Sequence, residues 1–135
     1  MLAHGALLRK NFFSADQLAA IVKDFRIAGL PPEEVAMMSF AQKVTTQANQ
    51  VSEHDIEELR EHGLSDEEIL YVVLACAARN FFSKTLDATG ANPDEAYLEL
   101  EPELLKVLTL GRPFPQLGLL TTQNIDFGNS NGITL

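Results

Sequence analysis

Ser65-Asp66-Glu67-Glu68-Ile69-Leu70-Tyr71-Val72-Val73-Leu74-Ala75-Cys76-Ala77-Ala78-Arg79-Asn80-Phe81-Phe82 is the stretch on which the fold turns. Ser65 followed three residues later by Glu68 is a capping box, in which each residue satisfies a backbone N–H at the start of a helix. The spacing predicts a long helix from Asp66 to about Thr89, stopped by Gly90 and Pro93. From Ile69 to Phe82 the segment is apolar on nearly every face. In a soluble protein such a helix needs cover from several neighbours or from another subunit. A core helix is expected here, and with it a homo-oligomer.

The same punctuation recurs on both sides. Ser14 with Gln17 opens a segment near 15 to 28 whose Leu18, Ile21, Val22 and Phe25 fall at helical spacing, closed by Gly29. Pro31 and Pro32 preset the backbone for the next helix, and Glu33 and Glu34 suit its positive end. Its stripe is Val35, Met38, Ala41 and Val44, and it runs to about Thr46. Ser52 with Asp55 starts a short acidic helix that ends at Gly63, and a last helix follows Pro102 as far as Gly111. No alternating strand pattern of useful length interrupts the series. The chain reads as an all-α domain over 1–112, followed by an irregular tail at 113–135 rich in Gln, Asn, Thr and Gly.

Composition narrows the function classes. With 135 residues, 46% of them hydrophobic, the chain suits one domain with a sizeable core. A net charge of −9 and the absence of a Lys/Arg cluster argue against a nucleic-acid partner. The longest apolar run, Tyr71 to Ala78, is far short of the ~20 residues of a membrane helix, so no membrane role is expected. One cysteine excludes an intramolecular disulfide and thiolate zinc clusters, which fits a reducing, cytoplasmic setting.

Three sets of residues could carry chemistry. His54, Glu58 and His62 recur at i, i+4 and i+8, but they sit among Glu53, Asp55, Glu57 and Glu61 on what reads as a solvated acidic face, so no metal is assigned. Cys76 could act as a lone nucleophile beside Arg79. Its apolar neighbours would raise the thiol pKa, and packing is its expected role. Arg112, between Gly111 and Pro113, could hold a carboxylate or end a helix through an ion pair.

The start of the chain, Met1-Leu2-Ala3-His4-Gly5-Ala6-Leu7-Leu8-Arg9-Lys10, resembles the tail of the Cys-x-x-Cys-x-x-x-His-Gly motif of the carboxymuconolactone decarboxylase and alkylhydroperoxidase D superfamily. The likeness continues through Leu30 to Thr45, which resembles the helix ending in Ala-x-Lys-Leu-Thr in the peroxidase-related branch. Val51, Asp55, Leu59, Arg60, Gly63, Leu64, Ser65, Asp66 and Ile69 follow that branch's spacing, and Arg79 to Lys84 resembles its Phe-Asn-Phe-x-Asn-Arg segment. The resemblance implies an alkylhydroperoxidase D-like helical bundle. It also implies thiol-dependent reduction of hydroperoxides, with His4 as the catalytic proton relay, an external dithiol as reductant and no cofactor.

Both motif cysteines and the family's relay Glu would precede Met1, so the domain is expected to be N-terminally incomplete, and the peroxidase activity to belong to a longer parent. The alternative is a non-catalytic binding or structural subunit on the same scaffold. Lactone decarboxylation through His4 has only a lone histidine in its favour.

Overall fold

Three serines set the framework of the computed structural model, which describes residues 2–109. The backbone N–H of Ser14 donates to Gln17 Oε1 at 3.1 Å, that of Ser52 to Asp55 Oδ2 at 2.7 Å and that of Ser65 to Glu68 Oε2 at 2.8 Å. Each satisfies a donor that the first helical turn leaves without a partner. They open α2 (Ala15–Asp24), α4 (Glu53–Glu61) and α5 (Asp66–Thr89). Pro at the first turn opens α3 (Pro32–Gln47) and α6 (Pro102–Leu108), and α1 spans Leu2–Asn11. Among the described residues there is no strand, so the fold is all-α as expected. The expected tail at 113–135 and Arg112 lie outside the described residues.

One helix end differs from expectation. α2 stops at Asp24 rather than near 28, because the Asp24 carboxylate accepts from the Arg26 N–H and turns the chain into a 3₁₀ segment, Phe25–Ile27. Two further 3₁₀ segments, Ala48–Gln50 and Glu95–Glu99, were not anticipated, the latter capped in the same way by Asp94. The glycine stops hold: Gly29, Gly63 and Gly90 all adopt positive φ, where a side chain would be strained.

The helices bury their apolar faces in two separate clusters. Leu2, Leu18, Leu104, Leu105 and Leu108 join α1, α2 and α6, with Tyr97, Leu98 and Leu100 packed around them. Ala36, Phe40, Leu59 and Ile69 join α3, α4 and α5. The two are bridged by the 3₁₀ segment after α2, which packs against α3. A fully buried Leu contributes roughly 1.5–3 kcal/mol, so Leu18, Leu59 and Leu104 anchor these clusters.

α5 is not the buried core helix that its composition suggests. Ile69 is its one buried residue. Among the described residues, α3 and the nine-residue α4 cover a single side, where Val72, Val73 and Cys76 are half-buried, and the other side lies open. Leu70, Tyr71, Leu74, Phe81, Phe82 and Leu86 are all more than half exposed. By length and mean hydropathy (1.3) α5 is also apolar enough to cross a membrane. Counting only the uninterrupted run from Tyr71 to Ala78 misses this, because a span tolerates an isolated Arg79.

Candidate functional site

The first turn of α1 places His4 at the surface and Gly5 in the core. A Cβ built on Gly5 would lie 2.5 Å from Leu108 Cδ1, so α6 approaches α1 closely where the side chain is missing. The His-Gly pair thus has a division of labour: Gly5 seats the helix on α6, and His4 is held one position earlier, facing outward. Arg9 fixes the far end of α1, donating from Nε and Nη2 to Glu101 Oε1 at 2.9 and 2.6 Å.

The His4 pKa is lowered, first by partial desolvation and then by the positive charge of Arg79 on α5. The imidazole is therefore neutral over more of the physiological range than a free histidine, as a proton acceptor must be. Arg79 joins the site by this route, although its guanidinium charge was expected to act on Cys76.

Cys76 faces the other way. Its Sγ lies 3.8 Å from the Ala41 carbonyl of α3. Burial pushes the thiol pKa up, and a bond to the Thr45 side chain only partly opposes this. A raised pKa makes a thiol a poorer nucleophile, which fits packing as the role of Cys76.

The acidic helix does not assemble a metal centre. His62 caps the end of α4, its N–H still donating to the Glu58 carbonyl at 3.2 Å. Among the described residues no three His, Cys, Asp or Glu side chains converge in that way. His62 instead lines a groove of about 550 Å³ between α3, the α4–α5 turn and α5. Met37, Leu64, Tyr71 and Val72 supply its apolar wall, and Glu33, Glu34 and Glu68 edge it. His4 is not among its lining residues. Nothing in the local sequence pattern announces this groove, because its walls come from two helices and the turn before the second.

A second feature that local reading missed is a half-buried ion pair. Lys43 Nζ donates to the Asp55 carboxylate at 2.5 and 2.7 Å, and the same carboxylate accepts from Ser52. Bonding to Lys43 and Ser52 holds Asp55 far below the usual carboxylate range. The pair ties the end of α3 to the start of α4 and floors a smaller cleft of about 130 Å³. Both residues belong to the segments that carry the family resemblance, and their part is structural.

An all-α scaffold with one packed thiol and a surface His-Gly pair on its first helix defines the class, an alkylhydroperoxidase D-like core. The chain is similar to the crystal structure of an alkylhydroperoxidase AhpD core from Ralstonia eutropha, an uncharacterized peroxidase-related protein, at 37% identity and a TM-score of 0.56. The match covers 71% of this chain and 50% of that one, so the chain spans half the length of its relative. This likeness supports the alkylhydroperoxidase D-like superfamily, whose helical core fold the chain shares. No protein-family model and no curated protein matches it.

Proposed function

We propose that this chain forms the helical body of a thiol-dependent hydroperoxide reductase, an antioxidant enzyme of the cytoplasm, and that His4 relays protons for it. The observation that carries this reading is the exposed His4 with its lowered pKa, set on Gly5 against α6. The peroxidase-related character of the Ralstonia protein agrees with it. The nucleophile is a Cys-x-x-Cys pair preceding His4 in a longer polypeptide. One thiolate attacks the hydroperoxide, the O–O bond breaks, and the sulfur becomes a sulfenic acid. The departing alkoxide takes a proton from the relay that includes His4. The second thiol condenses with the sulfenic acid, releasing water and forming a disulfide, which an external dithiol reduces.

Cys76 takes no part. Its burial and its contact with Ala41 fit packing, and a chain with this thiol alone cannot run the cycle. That same observation favours the second reading, a binding or structural subunit without redox chemistry.

The test is reduction of an organic hydroperoxide by the native protein from its source cells, with a dithiol as reductant. The reading predicts turnover that falls about 10²–10⁴-fold in His4→Ala and is unchanged in Cys76→Ser. Turnover lost in Cys76→Ser but kept in His4→Ala would overturn it, and absence of any turnover would leave the subunit reading standing.

A further inference from the structure

Arg79 differs from the other described arginines, each of which holds a carboxylate. Arg9 holds that of Glu101, Arg26 that of Asp24, and Arg60 those of Glu57 and Asp66. The Arg79 guanidinium has neither a carboxylate nor a hydrogen-bond acceptor among the described residues. In a chain of 19 acidic and 10 basic residues, an arginine without an acid of its own is free to take one from outside. We propose that Arg79 is the substrate-recognition residue beside His4, and that it holds the carboxylate of an acid-bearing organic hydroperoxide. The proposal rests on the reductase function assigned to His4.

Three observations point to a carboxylate. The first is place: the charge of Arg79 is felt at the His4 imidazole, so the two groups serve one surface. The second is burial. Arg79 is half-buried, which strips part of the water from the cation and leaves its planar fork within reach. A carboxylate held by two parallel N–H donors offsets that loss, and a neutral ester cannot. The third is charge. Against a net charge of −9, an anion binds only where a local cation outweighs the surrounding field. A carboxylate on Arg79 also cancels the repulsion that keeps a proton off His4. His4 then accepts the thiol proton more readily with an acidic substrate in place than in the free protein.

Two rival uses of the cation predict different kinetics. An acidic side chain of a longer polypeptide would hold Arg79 permanently and make it a structural tie. Stabilisation of the departing alkoxide would act on every hydroperoxide alike and appear in kcat. The proton for that oxygen comes through His4, and the two-pronged guanidinium matches the two oxygens of a carboxylate better than one alkoxide oxygen. Carboxylate recognition acts on the acid alone, and through KM.

The test compares linoleic acid hydroperoxide with its methyl ester as substrates of the native-length protein, with a dithiol as reductant. The kcat/KM for the acid should exceed that for the ester about tenfold or more. Arg79→Gln should bring the acid down to the level of the ester by raising its KM, and Arg79→Lys should restore part of the preference. In calorimetry, octanoate should bind the wild type about tenfold more tightly than Arg79→Gln. Equal kcat/KM for acid and ester would overturn the proposal and leave the reductase function standing. So would an equal loss of kcat on both substrates in Arg79→Gln, the mark of alkoxide stabilisation, or a lowered melting temperature with the preference intact, the mark of an internal acid. If neither hydroperoxide is reduced, the reductase function fails, and octanoate decides the recognition by itself: Arg79-dependent binding upholds it, and binding unaltered in Arg79→Gln overturns it.

Discussion

Leu104, Leu105 and Leu108 on the seven-residue α6 are all buried, whereas Leu70, Leu74 and Leu86 on the 24-residue α5 are all exposed. The difference is one of partners rather than of hydrophobicity. α6 is short and lies in the angle between α1 and α2, which between them cover its apolar face. α5 is long, meets α3 and α4 on one side, and has no helix of the described residues on the other. Amino-acid type predicts that a face needs cover, and only tertiary geometry says what supplies it.

The sharpest way to break this contrast is truncation of a leucine on each side. Leu104→Ala should lower the unfolding free energy in urea by about 3 kcal/mol, through lost transfer energy plus a cavity. Filling the gap at Gly5 should cost nearly as much in the opposite sense. Gly5→Val drives its side chain into Leu108, which is 2% exposed and has little room to yield, and should lower stability by about 2 kcal/mol. Ser65→Ala removes the capping partner at the start of α5 and should cost about 1 kcal/mol by thermal unfolding. Leu74→Ala should come last, changing the stability of the monomer by less than about 0.5 kcal/mol. A Leu74→Ala loss as large as that of Leu104→Ala would mean that the open face is packed within one chain.

Stability should also rise with pH in two windows. The folded-state pKa of Asp55 is depressed, so its contribution is complete above the unfolded carboxylate value and is lost as the pH falls below it. The folded-state pKa of His4 is depressed as well. The unfolded chain then binds the proton more readily, and stability falls as the pH drops through the ordinary histidine range near 6.5. Denaturation midpoints measured across pH should lose the acid window in Asp55→Asn and the upper one in His4→Gln.

Much of this architecture was legible in the sequence because its signals are local. Ser14, Ser52 and Ser65 act within three residues of themselves, and Gly63 and Gly90 stop helices through their own backbone angles. What stayed hidden is tertiary. The Lys43–Asp55 bond joins residues 12 apart, Gly5 makes sense only once Leu108 is beside it, and the groove of about 550 Å³ draws its walls from α3, the α4–α5 turn and α5. His4 was visible from the family motif, but the influence of Arg79 on it was not, since α1 and α5 are far apart in the chain. The early end of α2 is an intermediate case: Asp24 is a local cap signal that the apolar periodicity through Phe25 obscured.

The most direct test of the central claim is the intact mass of the native protein from its source cells, measured before and after thiol alkylation. The account predicts a species heavier than 14.8 kDa that takes up label at two thiols besides Cys76. A mass equal to that of these 135 residues, with a single alkylatable cysteine, would contradict it.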